Sequence, residues 1–261
     1  MSAGESGDSG GEAQFVRLRD PALPSRLSHL PDPPRGLYVR STDVDEALTT
    51  LRDLPTVAVV GTRRASRAGL EFTREVTSEL AARGVAVVSG LALGVDAAAH
   101  EGALSGGGKT IAVLGSGVDR PGPVRNSGLA RRIVDRGALV SEYPPRTEAA
   151  KWRFPARNRI IAALAAVVVV IEAPSRSGSL ITTDFALDMG RVVMAVPGPP
   201  WAHASRGCNA LIKAGAAVCE SAGDVLAEFP GYERRAGTAT REAADAPGDP
   251  VVASVLGALE V

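Results

Sequence analysis

From about residue 55 to residue 219 the chain alternates short, nearly continuous aliphatic and β-branched runs with longer stretches whose apolar positions recur at helical spacing. The runs predict strands at 57–60, 85–88, 110–114, 138–140, 167–171 and 192–196, with a weaker one at 216–219. Helices are predicted near 68–83, 95–104, 127–136, 158–165, 179–189 and 209–213. Strands without polar alternation are buried on both faces, so the expectation is an α/β fold, a mainly parallel sheet with helices on both faces. Glycine, serine or proline follows nearly every run. In such sheets ligands bind beyond the carboxyl ends of the strands, so these turns are expected to converge on one crevice.

Outside this core the pattern changes. Residues 1–14 are polar, acidic and glycine-rich, which reads as a disordered tail and not a signal peptide. Residues 15–54 carry prolines at 21, 24, 31, 33 and 34 and read as an irregular strap with one short helix near 44–52. The main domain is expected over 55–229, and 230–261 as a linker with an isolated helix near 251–259. No apolar run reaches the ~20 residues that cross a bilayer, so a cytoplasmic protein without a membrane partner is expected. Cys208 and Cys219 lack the spacing of a zinc site or a disulfide framework, and neither metal nor cofactor is expected.

Formal net charge is zero, so any nucleic-acid reading rests on local clustering. Between 146 and 159 five basic residues, Arg146, Lys151, Arg153, Arg157 and Arg159, face one acid, Glu148. Within that stretch Lys151 to Arg159, KWRFPARNR, interleaves cations with Trp152 and Phe154 and leads into the helix at 160–165. Unpaired nucleic acid needs that combination, because charges follow phosphates while rings stack on bases. The alternative is that both aromatics are core and the arginines close a sheet end.

Other turns carry weaker signals. Gly61-Thr62-Arg63-Arg64 places arginines where a dinucleotide fold needs its second glycine, which disfavours NAD or FAD. Those arginines, with the next helix N-terminus, suit direct phosphate capture unless they are solvated surface. Ser89-Gly90 opens a turn into a helix where Asp96 and His100, four residues apart, form either an acid–base pair or a structural one. Gly106 to Thr110 lacks P-loop spacing and ends a helix, whereas Gly115 to Asp119 is expected to line the crevice. Ser177-Gly178-Ser179 opens a helix and can receive an anion. On the same helix Asp184 and Asp188 are a carboxylate pair or a polar face, and Lys213 contacts phosphate or is solvated.

Seven ordered segments, among them VAVVGTR at 57–63, SGLALGVDAAAH at 89–100, FPARNRIIA at 154–162 and SGSLITT at 177–183, resemble the DNA-processing protein A (DprA/Smf) family of bacteria. The resemblance covers about residues 31–229 and implies an extended Rossmann-like fold without enzymatic activity. It implies a homodimer that binds and protects incoming single-stranded DNA and helps load the RecA recombinase in natural transformation. On matching positions the contacts fall on Gly61, Thr62, Arg63, Ser89, Gly90, Lys151, Phe154, Arg157, Asn158, Arg159, Ser177, Gly178, Ser179 and Lys213. Two departures stand out. Arg120-Pro121-Gly122-Pro123 replaces a tyrosine–proline pair, and the family's flanking helical and winged-helix domains have no full counterpart here. The competing expectation is a nucleoside-monophosphate hydrolase that uses Asp184 as acid or base.

Overall fold

The computed structural model describes residues 11–229. Residues up to Val225 form one unit, and of a second unit beginning at Leu226 only residues 226–229 are described. The expected linker and helix after 229 lie outside the described residues.

The aliphatic runs form strands β3 (Thr56–Val60), β4 (Ala86–Ser89), β5 (Thr110–Val113), β6 (Ala138–Ser141), β7 (Val167–Val170), β8 (Val192–Ala195) and β9 (Ala217–Val218). They are joined by helices α2 (Arg67–Ala82), α3 (Val95–Ser105), α4 (Ser127–Arg136), α5 (Arg153–Leu164), α6 (Gly178–Asp188) and α7 (Arg206–Lys213), followed by α8 (Ala222–Ala227). Every residue of β3 to β7 is buried, as expected where both faces of the sheet are covered. Valine opposite valine recurs at the centre, Val57 with Val167 and Val59 with Val169. β-branched side chains pack well on such a pleated surface.

The strap differs from its expectation. It supplies β1 (Gln14–Arg17) and β2 (Gly36–Arg40), which pair antiparallel with each other and with β6, before α1 (Val44–Asp53). Gln14, the last residue assigned to the tail, therefore begins a strand. All five prolines fall in the β1–β2 connection, where no ladder N–H is required of them, so their density hid the flanking strands. Leu23, Leu27, Leu30, Leu48 and Leu51 of the strap share the core with Ile160, Ile161 and Leu164 of α5. Arg26 fastens the two by donating to the carbonyls of Leu51 at 2.7 Å and Leu164 at 2.9 Å.

The strand order is β1-β2-β6-β5-β4-β3-β7-β8-β9. From β3 the chain winds outward to β6, then α5 carries it back to place β7 on the other side of β3. Right-handed crossovers put α2, α3 and α4 on one face and α5, α6 and α7 on the other. The reversal between β3 and β7 opens a crevice at their carboxyl ends.

α5 begins at Arg153, five residues before the expected start. Pro155 occupies its first turn, where no intrahelical N–H is needed, so the proline does not break the helix. On α3, Asp96 and His100 do not pair. His100 Nδ1 lies 2.7 Å from Thr110 Oγ1, whose hydroxyl donates to the Val87 carbonyl. The hydroxyl has one proton to give, so Nδ1 carries the hydrogen and Nε2 is left without a partner.

Two outcomes follow. Burial, reinforced by the Arg157 charge, pushes His100 down to about 3. The unfolded chain takes up a proton near the ordinary histidine value of about 6.5 that the folded chain refuses. His100 therefore contributes stability that is complete above that value and lost as pH falls towards 3. NMR should show the neutral Nδ1–H form throughout that window, and a ring that protonates midway would contradict this. Secondly, a Cβ on Gly102 would meet Thr77 Oγ1 at 2.1 Å and the Arg74 carbonyl at 2.5 Å, both on α2. Gly102→Ala should lower stability by about 1–3 kcal/mol in urea unfolding at unchanged m, and an unchanged midpoint would refute the close approach.

Candidate functional site

The first wall of the crevice is the turn after β3. Thr62 N–H donates to the Glu172 carbonyl at 2.7 Å, and Val95 N–H donates to the Thr62 carbonyl at 3.3 Å. Gly94 has φ +81°, and a Cβ there would lie 2.3 Å from the Thr62 carbonyl oxygen, so only glycine lets the two turns meet. α2 was expected to offer its N-terminus to an anion, but Glu172 already fills that place. Its carboxylate accepts from Ser66 N–H at 2.8 Å and from the Ser66 hydroxyl at 2.6 Å, and crowds Gly69. Arg63 and Arg64 consequently project outward, and the Arg63 guanidinium lies 5.3 Å from the Phe154 ring centre.

The second wall is the start of α5. Lys151, Phe154, Pro155, Asn158 and Ile161 line the crevice at helical spacing. Arg157 also borders it, but the residue is 4% exposed and its guanidinium turns inward, donating from Nη1 to the carbonyls of Gly90, at 2.9 Å, and Val113. A Cβ on Gly90 would come within 2.5 Å of that guanidinium. Burial lowers Arg157 to about 10, partly offset by the nearby Asp96 charge, so it stays ionised at neutral pH. Burial likewise pushes the Asp96 carboxyl up, against the pull of Arg157 and the backbone N–H groups of residues 92 and 90. The turn after Gly90 is held hard. Leu91 is fully buried at φ 57°, and Asn126 donates to the carbonyls of Leu91 and Ala92 at 2.9 and 3.2 Å.

The third wall is the turn from β7 into α6. Ser177 caps α6 by accepting from Ser179 N–H at 3.3 Å, and Asn158 ties this wall to α5 by donating to the Gly178 carbonyl at 3.1 Å. Arg176 is exposed at its lip. Thr182, 1% exposed, lines the crevice with a hydroxyl that has no hydrogen-bond partner. The space enclosed is about 590 Å³.

Of the residues proposed from sequence, Gly61, Thr62, Arg63, Lys151, Phe154, Arg157, Asn158, Ser177, Gly178 and Ser179 come together here. Four do not line it. Ser89 is fully buried and donates to the Val59 carbonyl at 2.7 Å, while Gly90 makes room for Arg157. Arg159 sits about 140° around the helix from Phe154. There it donates two hydrogen bonds to the Glu142 carboxylate, each 2.7 Å, and a third to the Asp32 carbonyl at 2.9 Å. Lys213 is exposed at the end of α7. The Gly115 to Asp119 turn backs the crevice and does not line it, with Gly115 packed behind Phe154. Asp184 and Asp188 are exposed on α6 and likewise lie outside the lining.

Arg64, read with Arg63 as a phosphate-capturing arginine, also lines the crevice, whereas sequence reasoning did not single out Arg176 and Thr182. Both were visible as neighbours of selected residues, but only the turn geometry shows which side chains face inward. Among the described residues no cluster of three histidine, cysteine or carboxylate side chains could hold a metal. Both cysteines are free and buried, and among the described residues no helix is long and apolar enough to cross a membrane.

Comparison with known proteins matches residues 14–230 to the family model of DNA recombination-mediator protein A. Protein Smf of Synechocystis is 41% identical over 217 residues, which are 83% of this chain and 54% of that protein. The chain spans about half the length of the first curated relatives it matches. The X-ray structure of DNA processing protein A from Streptococcus pneumoniae superposes with a TM-score of 0.78 at 43% identity, over 84% of this chain and 75% of that one. DNA processing protein A from Helicobacter pylori, whose structure addresses its single-stranded DNA binding mode, gives 0.73 at 30% identity over 83% and 95% of the two chains. The chain with this braced, arginine-rimmed crevice therefore belongs to the DNA recombination-mediator protein A family, that of the DprA and Smf proteins.

Proposed function

We propose that the crevice holds single-stranded DNA, with phosphates on Arg63, Arg64, Lys151 and Arg176 and a base against Phe154. The observation that carries this reading is the charge inventory of the lining. Four exposed cations face the cleft without a carboxylate partner among the described residues, and the only acid beside them, Asp96, is buried next to Arg157. Phe154 is half-buried with Arg63 against one side, an arrangement that suits stacking of an unpaired base. The orphaned Thr182 hydroxyl and the start of α6 offer further polar contact for a phosphate or a base edge.

The single-stranded DNA described for the Helicobacter pylori relative supports the same ligand here. In the fuller role, a cytoplasmic homodimer protects incoming single strands and passes them to the RecA recombinase. The family description as a recombination mediator supports that direction. Binding and handover need no bond to be made or broken. The hydrolase alternative draws no support from Asp184, which is outside the lining.

Fluorescence anisotropy with labelled oligo-dT and a matched duplex, over a range of salt, tests the reading. The single strand should bind tighter, and affinity should fall steeply with salt. Arg63→Ala should flatten the logarithmic slope by about 0.7, the value for one lost single-strand phosphate contact. Phe154→Ala should weaken affinity by about 1–3 kcal/mol with the slope nearly unchanged. Equal affinity for duplex, or indifference to both substitutions, would overturn it.

A further inference from the structure

The chain has two tryptophans, and neither is in the core. Trp152 is 63% exposed and Trp201 is 80% exposed. Large aromatics left in water are unusual, since indole is normally among the most buried surfaces of a protein. Both stand on segments that border the crevice. Trp152 follows Lys151 and precedes Phe154, two residues of the α5 wall. Trp201 belongs to the loop after β8, the strand next to β7. Three residues on, the Ala204 carbonyl accepts from Ala173 N–H at 2.7 Å, and the adjoining Pro174 lines the crevice. Three residues of chain span at most ~11 Å, so the Trp201 backbone stands within about that distance of Ala204, which is bonded to the start of the β7–α6 wall.

The surroundings hold the Trp152 ring itself and, at Trp201, the backbone that carries it. Trp152 meets Tyr143 edge-on at 6.2 Å, and the Arg153 guanidinium packs 5.0 Å from its ring centre and 4.8 Å from that of Tyr143. Arg153 is itself anchored by donating to the Glu148 carbonyl. Arg153 thus covers part of the ring and leaves the rest in solvent. Trp201 stands after Pro199 and Pro200, whose fixed φ stiffens the loop. Asn209 clamps the loop's base through Gly198, accepting from its N–H at 3.2 Å and donating to its carbonyl at 2.9 Å. No ring or cation contact involves Trp201 among the described residues.

We infer that Trp152 and Trp201 are base-stacking platforms that flank the crevice and carry the single strand beyond it on both sides. This rests on the single-stranded DNA reading above. The ligand at each platform is an unpaired base. Any base offers a π-face, so the platforms add affinity and strand length without reading sequence. A duplex keeps its bases stacked on each other and gains little from either indole. The division of labour is then a cationic centre for phosphates and apolar ends for bases.

All tryptophan emission comes from these two residues, so Trp152→Ala and Trp201→Ala each leave one reporter. Both variants are titrated with dT oligomers of about 4 and about 16 nucleotides while anisotropy on a matched labelled strand records occupancy. The longer oligomer should quench both reporters. Each alanine variant should lose at least about 5-fold in affinity for it, and phenylalanine at the same position should restore part of that loss. The shorter oligomer should be much less sensitive to either change. Saturation by anisotropy with unchanged emission in either variant, or with full affinity in both, would overturn the platforms and leave the crevice reading standing. No occupancy even in the unmodified protein would overturn both.

Discussion

The crevice depends on one buried cation. The Arg157 guanidinium reaches from α5 under the rim and binds the carbonyls of Gly90 and Val113, at the carboxyl ends of β4 and β5. Taking a guanidinium out of water costs several kcal/mol unless its donors are satisfied and a counter-charge is near. Those carbonyls satisfy donors, and Asp96 supplies the charge, which is why Arg157 is lowered only to about 10 and remains a cation. Gly90 is part of the same device, because any side chain there would strike the guanidinium. Both carbonyl bonds leave from Nη1, whose two hydrogens are thereby committed to neighbouring strands, while Nε reaches Asn158 Oδ1 at 3.3 Å.

With that floor fixed, the site divides its charges by solvent access. Arg157 and Arg159 are spent inside the fold, on backbone carbonyls and on Glu142. Arg63, Arg64, Lys151 and Arg176 stay in water, available to a polyanion and subject to screening by salt. Glu172 adds a constraint. By occupying the start of α2 with a carboxylate from the same chain, it removes that helix terminus as an anion site and leaves the starts of α5 and α6 bordering the crevice.

Much of this was legible in the sequence, because the features concerned are written in local pattern. Near-continuous valine runs identify buried parallel strands, and their punctuation by glycine and serine marks the rim. What escaped was orientation and context. β1 and β2 were hidden by prolines that fall between them. The true start of α5 was hidden by Pro155, which a first turn accommodates. That error mattered, since KWRFPARNR read as an extended basic segment presents Arg157 and Arg159 to a ligand, whereas a helix over the same residues turns both away. Asp96 and His100 have the spacing of a pair, yet Thr110 of β5 claims the histidine and the backbone at Ala92 claims the carboxylate. Spacing on one helix cannot show what a neighbouring strand offers.

A crystal structure with a short dT oligomer tests the central claim most directly, that the strand lies across the β3–β7 switch with a fixed floor beneath it. The account predicts phosphates beside Arg63, Arg64, Lys151 and Arg176, a base against Phe154, and Arg157 still bonded to Gly90 and Val113. A strand bound on another face, or Arg157 released from those carbonyls to meet a phosphate, would contradict it.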